Sequence, residues 1–333
     1  MTGKEQILRA IRYEPIEGHV PHFENVFFLT MEAFGRIHPV HRNFYQWNQM
    51  SRSEQELQIC DLADIHMEVA VRYNHSAILV HSPIQEFSVL WRILEKIREK
   101  SGDEYFLMLL ADPTHSIPNG QNMMDFSLRM YEDPDGLIGE SRQWMDGMLE
   151  QARKFSGSGL LDGYAMCSDY CFNANPFFSN EMFDLLIVPI LKDTIAAFRE
   201  MGFYSLKHTD GNIMPILEQI LECKPDILHS LDPQGGVDLA EVKRIVNGRT
   251  ALMGNVNCGL LQTGTEEQVR TDVKRALRDG MPGGGFIFST SNCIYTGLAL
   301  ERYELMHRLW LEHGRYDRLS APCTGSEKED CSL

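Results

Sequence analysis

Residues 161–211 read LDGYAMCSDYCFNANPFFSNEMFDLLIVPILKDTIAAFREMGFYSLKHTDG. Two short apolar runs, 161–170 and 203–211, each close on a polar end: Ser168-Asp169-Tyr170 in the first and His208-Thr209-Asp210-Gly211 in the second. Between them, over residues 179–202, apolar residues recur three and four apart, the spacing of a helix with one buried face. Ser179 is placed to cap that helix and Gly202 to end it. A strand, a helix and a second strand form a βαβ unit, and successive units of this kind build a parallel sheet.

The alternation continues downstream. Strands are expected at DILHSLDP (226–233), TALMGNVN (250–257) and GGFIFSTSN (284–292), separated by helical patterns at 211–223, 238–248 and 265–280, the last stopped by Gly280. Upstream the pattern is less regular. HVPHFENVFF (19–28), IHMEVAVRY (65–73) and EYFLMLLADP (104–113) read as strands, with helices near 51–64 and 123–155. Eight strands close a barrel, so the expectation is an α/β fold, a single (β/α)8 TIM barrel over residues 1–319. An open doubly wound sheet is the alternative, but no glycine-rich phosphate turn follows the first strand. The end of the chain, 320–333, is small, polar and acidic and is expected to be disordered, which sets aside Cys323 and Cys331.

Bulk properties narrow the function. A chain of 333 residues with 43% hydrophobic and 23% charged residues is an ordinary globular composition with enough apolar side chains for a large core. Its net charge of −16 argues against nucleic acid or an anionic membrane surface as partner, since those are bound by clustered Lys and Arg. No apolar stretch is long enough to span a bilayer, and the opening MTGKEQILRAIRYEP reads as a charged amphipathic helix, so a cytoplasmic location is expected. Eight scattered cysteines do not make a disulfide scaffold in a chain this long, and most thiols are expected to fill core.

In a parallel barrel the chemistry sits at the C-terminal ends of the strands. Read in order, those ends offer Asp169 and Tyr170, then His208 and Asp210, then Asp232, then Asn257-Cys258, then Asn292-Cys293. Zinc takes thiolate, imidazole and carboxylate ligands, and a catalytic site keeps one position open. Asp232, Cys258 and Cys293, from three consecutive strand ends, are a candidate ligand set that His208 would complete or assist. Two buried thiols lining a pocket are the bland alternative. His208 or Asp210 could instead orient a ligand or a water. Aromatic side chains near the ends, Tyr170, Phe178 and Tyr295 among them, are candidates for the walls of a substrate pocket, though such residues are more often core. His22, Glu24 and Asn25 at the close of the first strand could hydrogen-bond a substrate, and Asp169 and Asn173 could position it or move a proton.

These segments resemble the uroporphyrinogen decarboxylase superfamily. The run from Ser168 to Glu222 is similar to its central block, in which an Asp-bearing strand end is followed by a Ser-x-Glu-Met helix and a strand closing in His-x-x-Gly. The likeness continues from Leu231 to Asn292 and begins faintly in KEQILRAIRYEP (4–15). It implies the barrel fold. Decarboxylases of this superfamily hold their polycarboxylate substrate with arginines after the first strand, whereas EPIEGHVPHFENVFFLTMEAFG (14–35) contains none. The other branch comprises corrinoid-dependent methyltransferases, whose zinc site is commonly His-x-Cys plus a distant Cys. Here His208-Thr209-Asp210 lacks the first cysteine, while Cys293 matches the distant one.

A carboxylate followed by two separate cysteines resembles the methyltransferase I component of aryl methyl ether O-demethylases, and Asp232, Cys258 and Cys293 fit that order. Asp232, 22 residues after Asp210, is also placed like a carboxylate ligand of cobalamin-independent methionine synthase. The resemblance therefore implies a zinc-dependent methyltransferase that demethylates a small methylated substrate, with an aryl methyl ether first in line. No Asp-x-His-x-x-Gly cobalamin motif is present, so the corrinoid would arrive on a partner protein. Methylamine or methanol as donor, transfer from a methylcorrinoid to a thiol or tetrahydrofolate, and a decarboxylase-like lyase are the alternatives. The oligomeric state is open, a homodimer included.

Overall fold

The computed structural model describes residues 1–319; the tail from Ser320, with Cys323 and Cys331, lies outside the described residues. Seven strands form one sheet in chain order with every neighbour parallel: β1 Ala77–Val80, β2 Phe106–Leu110, β3 Gly163–Met166, β4 Tyr204–Thr209, β5 Ile227–Ser230, β6 Ala251–Val256 and β7 Phe286–Thr290. The five strands expected from residue 161 onward are all present within the anticipated segments, as is β2. The sheet curls into a barrel of the TIM type.

Two upstream expectations differ. Residues 65–72 belong to the helix Arg52–Arg72, with Tyr73 as its C-cap, and its buried positions Ile59, Leu62, Ala63, His66, Val69 and Ala70 fall at helical spacing. A capping box between Ser51 and Glu54 starts it. The strand instead is the continuous apolar run Ala77–Val80, buried on both faces as a barrel strand must be. The segment 19–28 forms isolated bridges rather than a strand, because Pro21 has no N–H to give the ladder. It still occupies the eighth position. His22 bridges Phe288 in parallel, Phe288 N donates to Pro21 O at 2.8 Å, and Ser76 N donates to His22 O at 2.7 Å, so residues 21–22 span the gap between β7 and β1.

Helices cover the outside. The long pattern after Ser179 breaks into Asn180–Leu186 and Val188–Glu200, since Pro189 cannot donate into the preceding turn. Ser179 caps the first as expected, accepting from Met182 N. Gly202 ends the second with φ +86°. Gly280 is the last residue of the helix Glu266–Gly280, and an added Cβ there would sit 2.5 Å from the Phe286 ring. No described helix is long and apolar enough to cross a membrane.

Inside the barrel, side chains alternate with period two. Phe23, Leu79, Met108, Ala165, Leu206, Ile227, Met253 and Ile287 make an apolar interior, closed at the N-terminal end by Ile7 and Ala10 of the helix Gly3–Ile11. Two residues further along β4 and β5 the same face carries His208 and His229. The interior thus turns polar at the C-terminal end, where barrel enzymes place their chemistry.

Candidate metal centre and active site

β4 and β5 run in register so that His208 and His229 are partners across the ladder, both on the inner face and both buried. Their Nδ1 atoms are 2.8 Å apart. The Nε2 atom of His208 faces the other way, 3.6 Å from Asp169 Oδ1 and 3.5 Å from Asp210 Oδ1. These separations exceed hydrogen-bond length. One donor atom from each of Asp169, His208 and Asp210 lies within 4.8 Å of the others, and no further group of this kind occurs among the described residues.

Local geometry explains the convergence. Gly211 follows Asp210 with φ +76°, and a Cβ there would come within 2.6 Å of Phe172 O, so only glycine lets the chain turn back behind the carboxylate. Asp210 is held by Ser230 Oγ at 2.9 Å and by the Asn292 amide. Ser230 and Leu231 themselves adopt φ +89° and +52° as β5 ends, a strained exit of the kind that gathers at functional sites. Asp169 Oδ1 accepts from Asp210 N at 3.1 Å, which ties the ends of β3 and β4 together. Behind them Asp112 accepts from Ser168 N at 2.8 Å and meets the fully buried Lys207 at 2.9 Å. The Asp169 side chain, 42% exposed, is the open side of the group.

Burial pushes the Asp210 carboxyl up to about 7, with the charge of Asp169 adding to it, and pushes His208 down to about 4 against the opposing pull of Asp169. Without a cation the group favours a neutral imidazole beside carboxylates that repel each other. A divalent ion relieves both, and an imidazole with two carboxylates is within the donor chemistry of zinc. The residues present therefore fit the metal.

The other expected residues are distributed as follows. Asp232 turns its carboxylate back to cap the turn Pro233–Gly235, Oδ1 accepting from Gln234 N at 3.0 Å. Cys258 is buried at the start of the helix Cys258–Thr263, with Sγ 3.9 Å from the carbonyl of Cys293, and burial lifts its thiol to about 12. Cys293 is half-buried next to Asn292, its thiol raised to about 11 by burial and then by Asp210. Asp232, Cys258 and Cys293 form no group of mutually close donor atoms among the described residues. The six described cysteines are all free thiols.

His22 is enclosed, its ring nitrogens at 3.0 Å from Phe288 O and 3.3 Å from Tyr303 OH. Glu24 is buried against β7, accepting from Ser289 Oγ at 2.9 Å and Thr290 Oγ1 at 2.6 Å. Asn25 Nδ2 sits 2.8 Å from His229 Nδ1. Tyr170 is fully buried beneath Lys207, and Phe178 packs against it as core. Asn173 is exposed, and Tyr295 leans over the helix Cys258–Thr263 to reach Gln262 at 2.9 Å. Sequence reasoning passed over His229, Ser230 and Lys207. The signal for His229 was its place two residues after Ile227 on a strand whose interior face was otherwise apolar.

Residues 163–311, from β3 into the helix Leu300–His313, match the family model for uroporphyrinogen decarboxylase (URO-D). The chain carries a URO-D family domain. That domain contains β3 to β7 and with them Asp169, His208, Asp210 and His229. No curated protein matches the chain by sequence. Among solved structures, a methyltransferase from Methanosarcina mazei is similar over 96% of this chain and 100% of its own, with a TM-score of 0.71 at 16% identity, which establishes a shared fold beyond the URO-D segment. A GH5_18 from Bifidobacterium longum subsp. infantis (TM-score 0.47, 11% identity, 90% of this chain and 79% of that) and a beta-mannanase from the blue mussel Mytilus edulis (0.43, 10%, 84% and 89%) are too distant to bear on function.

Proposed function

We propose that the chain is a cytoplasmic, zinc-dependent methyltransferase that demethylates a small methylated substrate, an aryl methyl ether, and passes the methyl group to the Co(I) corrinoid of a separate partner protein. The observation that carries this is the convergence of the Asp169, His208 and Asp210 donors at the open end of a URO-D barrel. The similarity of the whole fold to a methyltransferase supports it. His208 Nε2, Asp210 and Asp169 would hold the ion, with Cys293 following Asn292, the residue whose amide bonds Asp210. Zinc there would supply a Lewis acid for the ether oxygen, and the corrinoid would supply the nucleophile.

The protein's own side chains do the rest. Ser230 and Asn292 fix Asp210, and the Asp112–Lys207 pair fixes the backbone before Asp169. Asp169, at the exposed edge, is placed to orient substrate or to relay a proton from solvent to the leaving alkoxide or phenoxide. A decarboxylase reading is disfavoured by charge. Arg36 and Arg42, the first arginines after Arg12, are spent on Asp61 and Glu68, leaving no cationic clamp in the early loops for a polycarboxylate.

The test is elemental analysis of the protein followed by a methyl-transfer assay with reduced cobalamin. About one zinc per chain and methylcobalamin formed from aryl methyl ethers would support the proposal. Turnover of methanol or a methylamine alone would move the substrate class. A zinc-loaded protein that methylates cobalt from no donor, and accepts no methyl group from methylcobalamin, would sink the methyltransferase reading.

A further inference from the structure

We infer that His229 is a positioning residue: it commits His208 to the tautomer with its proton on Nδ1 and so turns the Nε2 lone pair toward Asp169 and Asp210. The inference rests on reading those three residues as a cation site, and it names what prepares that site before any ion arrives.

One group in this chain of contacts has a fixed role. The carbonyl oxygen of Thr290 can only accept, and it lies 3.0 Å from His229 Nε2, so Nε2 carries a proton. His229 is fully buried and faces a second imidazole, which keeps it neutral. A neutral ring protonated at Nε2 has its lone pair at Nδ1. Two groups meet that lone pair at 2.8 Å, Asn25 Nδ2 and His208 Nδ1. Both must donate. A neutral His208 that donates from Nδ1 has its lone pair at Nε2, and Nε2 is the atom that faces the two carboxylates.

The opposite tautomer of His208 would set two lone pairs against each other at 2.8 Å and give Nε2 the proton, blocking it as a ligand. Asn25 shows the same preference from the other side. Its Oδ1 is buried without a partner, yet turning the amide over would press that oxygen onto the His229 lone pair. The order Thr290 carbonyl, His229, His208 is therefore a one-way chain of hydrogen bonds, and the β4–β5 register that makes His208 and His229 ladder partners is what permits it. Such outer partners commonly set the orientation and proton position of a metal-binding imidazole.

The experiment reads the tautomer directly. Metal-free protein labelled with 15N in its 12 histidine rings is examined by long-range proton–nitrogen NMR, with the His208 signals identified by their loss in His208→Gln. In the unsubstituted protein His208 should show a protonated Nδ1 and an unprotonated Nε2. In His229→Phe, or His229→Leu if the first does not fold, that preference should be lost and zinc should bind about 10- to 100-fold more weakly in chelator competition. His229→Asn, whose side-chain oxygen can accept near the place of Nδ1, should restore both. A proton on His208 Nε2 in the unsubstituted protein overturns the inference, even if neither substituted chain folds. So does a fully retained Nδ1 proton in a folded His229→Phe or His229→Leu. Because the tautomer is read without metal, absence of zinc binding would count against the cation site and not against this result.

Discussion

Lys207 Nζ lies 2.9 Å from Asp112 Oδ2, with the two side chains only 0% and 9% exposed. The pair clamps the end of β3 from both sides. Asp112 accepts from Ser168 N, and Lys207 donates to Ser168 O at 2.9 Å, directly before Asp169. Lys207→Met would leave the Asp112 charge buried and unpaired and should cost about 3–5 kcal/mol of stability. Adding Asp112→Asn removes the stranded charge and should recover a large part of the loss. Urea unfolding of the single and double variants checks this; equal stabilities would show that the pair is not what holds this strand end.

Glu24 gives the stability a pH dependence. Burial without a positive partner raises its carboxyl to about 8, against hydrogen bonds from Thr290 and Ser289 that favour the charged form. A carboxyl raised on folding keeps its proton in the folded protein while the unfolded chain releases it. The stability it confers is full below the unfolded value near 4.5 and is lost as pH rises toward about 8. Over that window the slope is at most about 1.4 kcal/mol per pH unit. Glu24→Gln should flatten the fall between pH 5 and 8 in denaturant melts, and an unchanged slope would mean Glu24 is ionised in the fold.

Metal content separates two ligand sets. His208→Gln and Asp210→Asn should lose zinc, because each removes a donor from the close group. Asp232→Asn and Cys258→Ser should retain it, since Asp232 caps a turn and Cys258 points toward a carbonyl. Elemental analysis of folded variants decides. The reverse pattern would place the ion among Asp232, Cys258 and Cys293, as the strand-end order suggested.

Gly211→Ala tests the backbone behind Asp210. The position needs φ +76°, and its Cβ would clash with Phe172 O at 2.6 Å and Cys171 O at 2.7 Å, both backbone atoms that cannot swing aside. A loss of about 1–3 kcal/mol is expected, together with weaker zinc binding as Asp210 shifts. Wild-type melting and affinity would show that the turn yields more easily than its geometry implies.

The sequence was informative where local rules bind. Ser179 caps a helix because its hydroxyl meets Met182 N, and β3 to β7 follow from apolar runs punctuated by helical spacing. It misled where two rules competed. Residues 65–73 alternate enough to pass for a strand, but helical burial from Ile59 to Ala70 prevails. Pro21 denies the first segment a ladder, so the barrel closes there through a few hydrogen bonds of residues 21 and 22.

For the site, the residue order alone determined which polar side chains stand at strand ends, because period-two alternation and the βα repeat are local properties of the chain. Asp169, His208, Asp210, Asp232, Cys258 and Cys293 were all legible in that sense. Which of them share a cavity is not a local property. It depends on strand register, on the turn at Gly211 and on which carboxylate is diverted to cap a helix. The tertiary structure therefore decided that His208 meets Asp169 and Asp210, that Asp232 serves a turn, and that His229 backs the imidazole, since the ladder pairing that joins His208 to His229 links residues 21 positions apart.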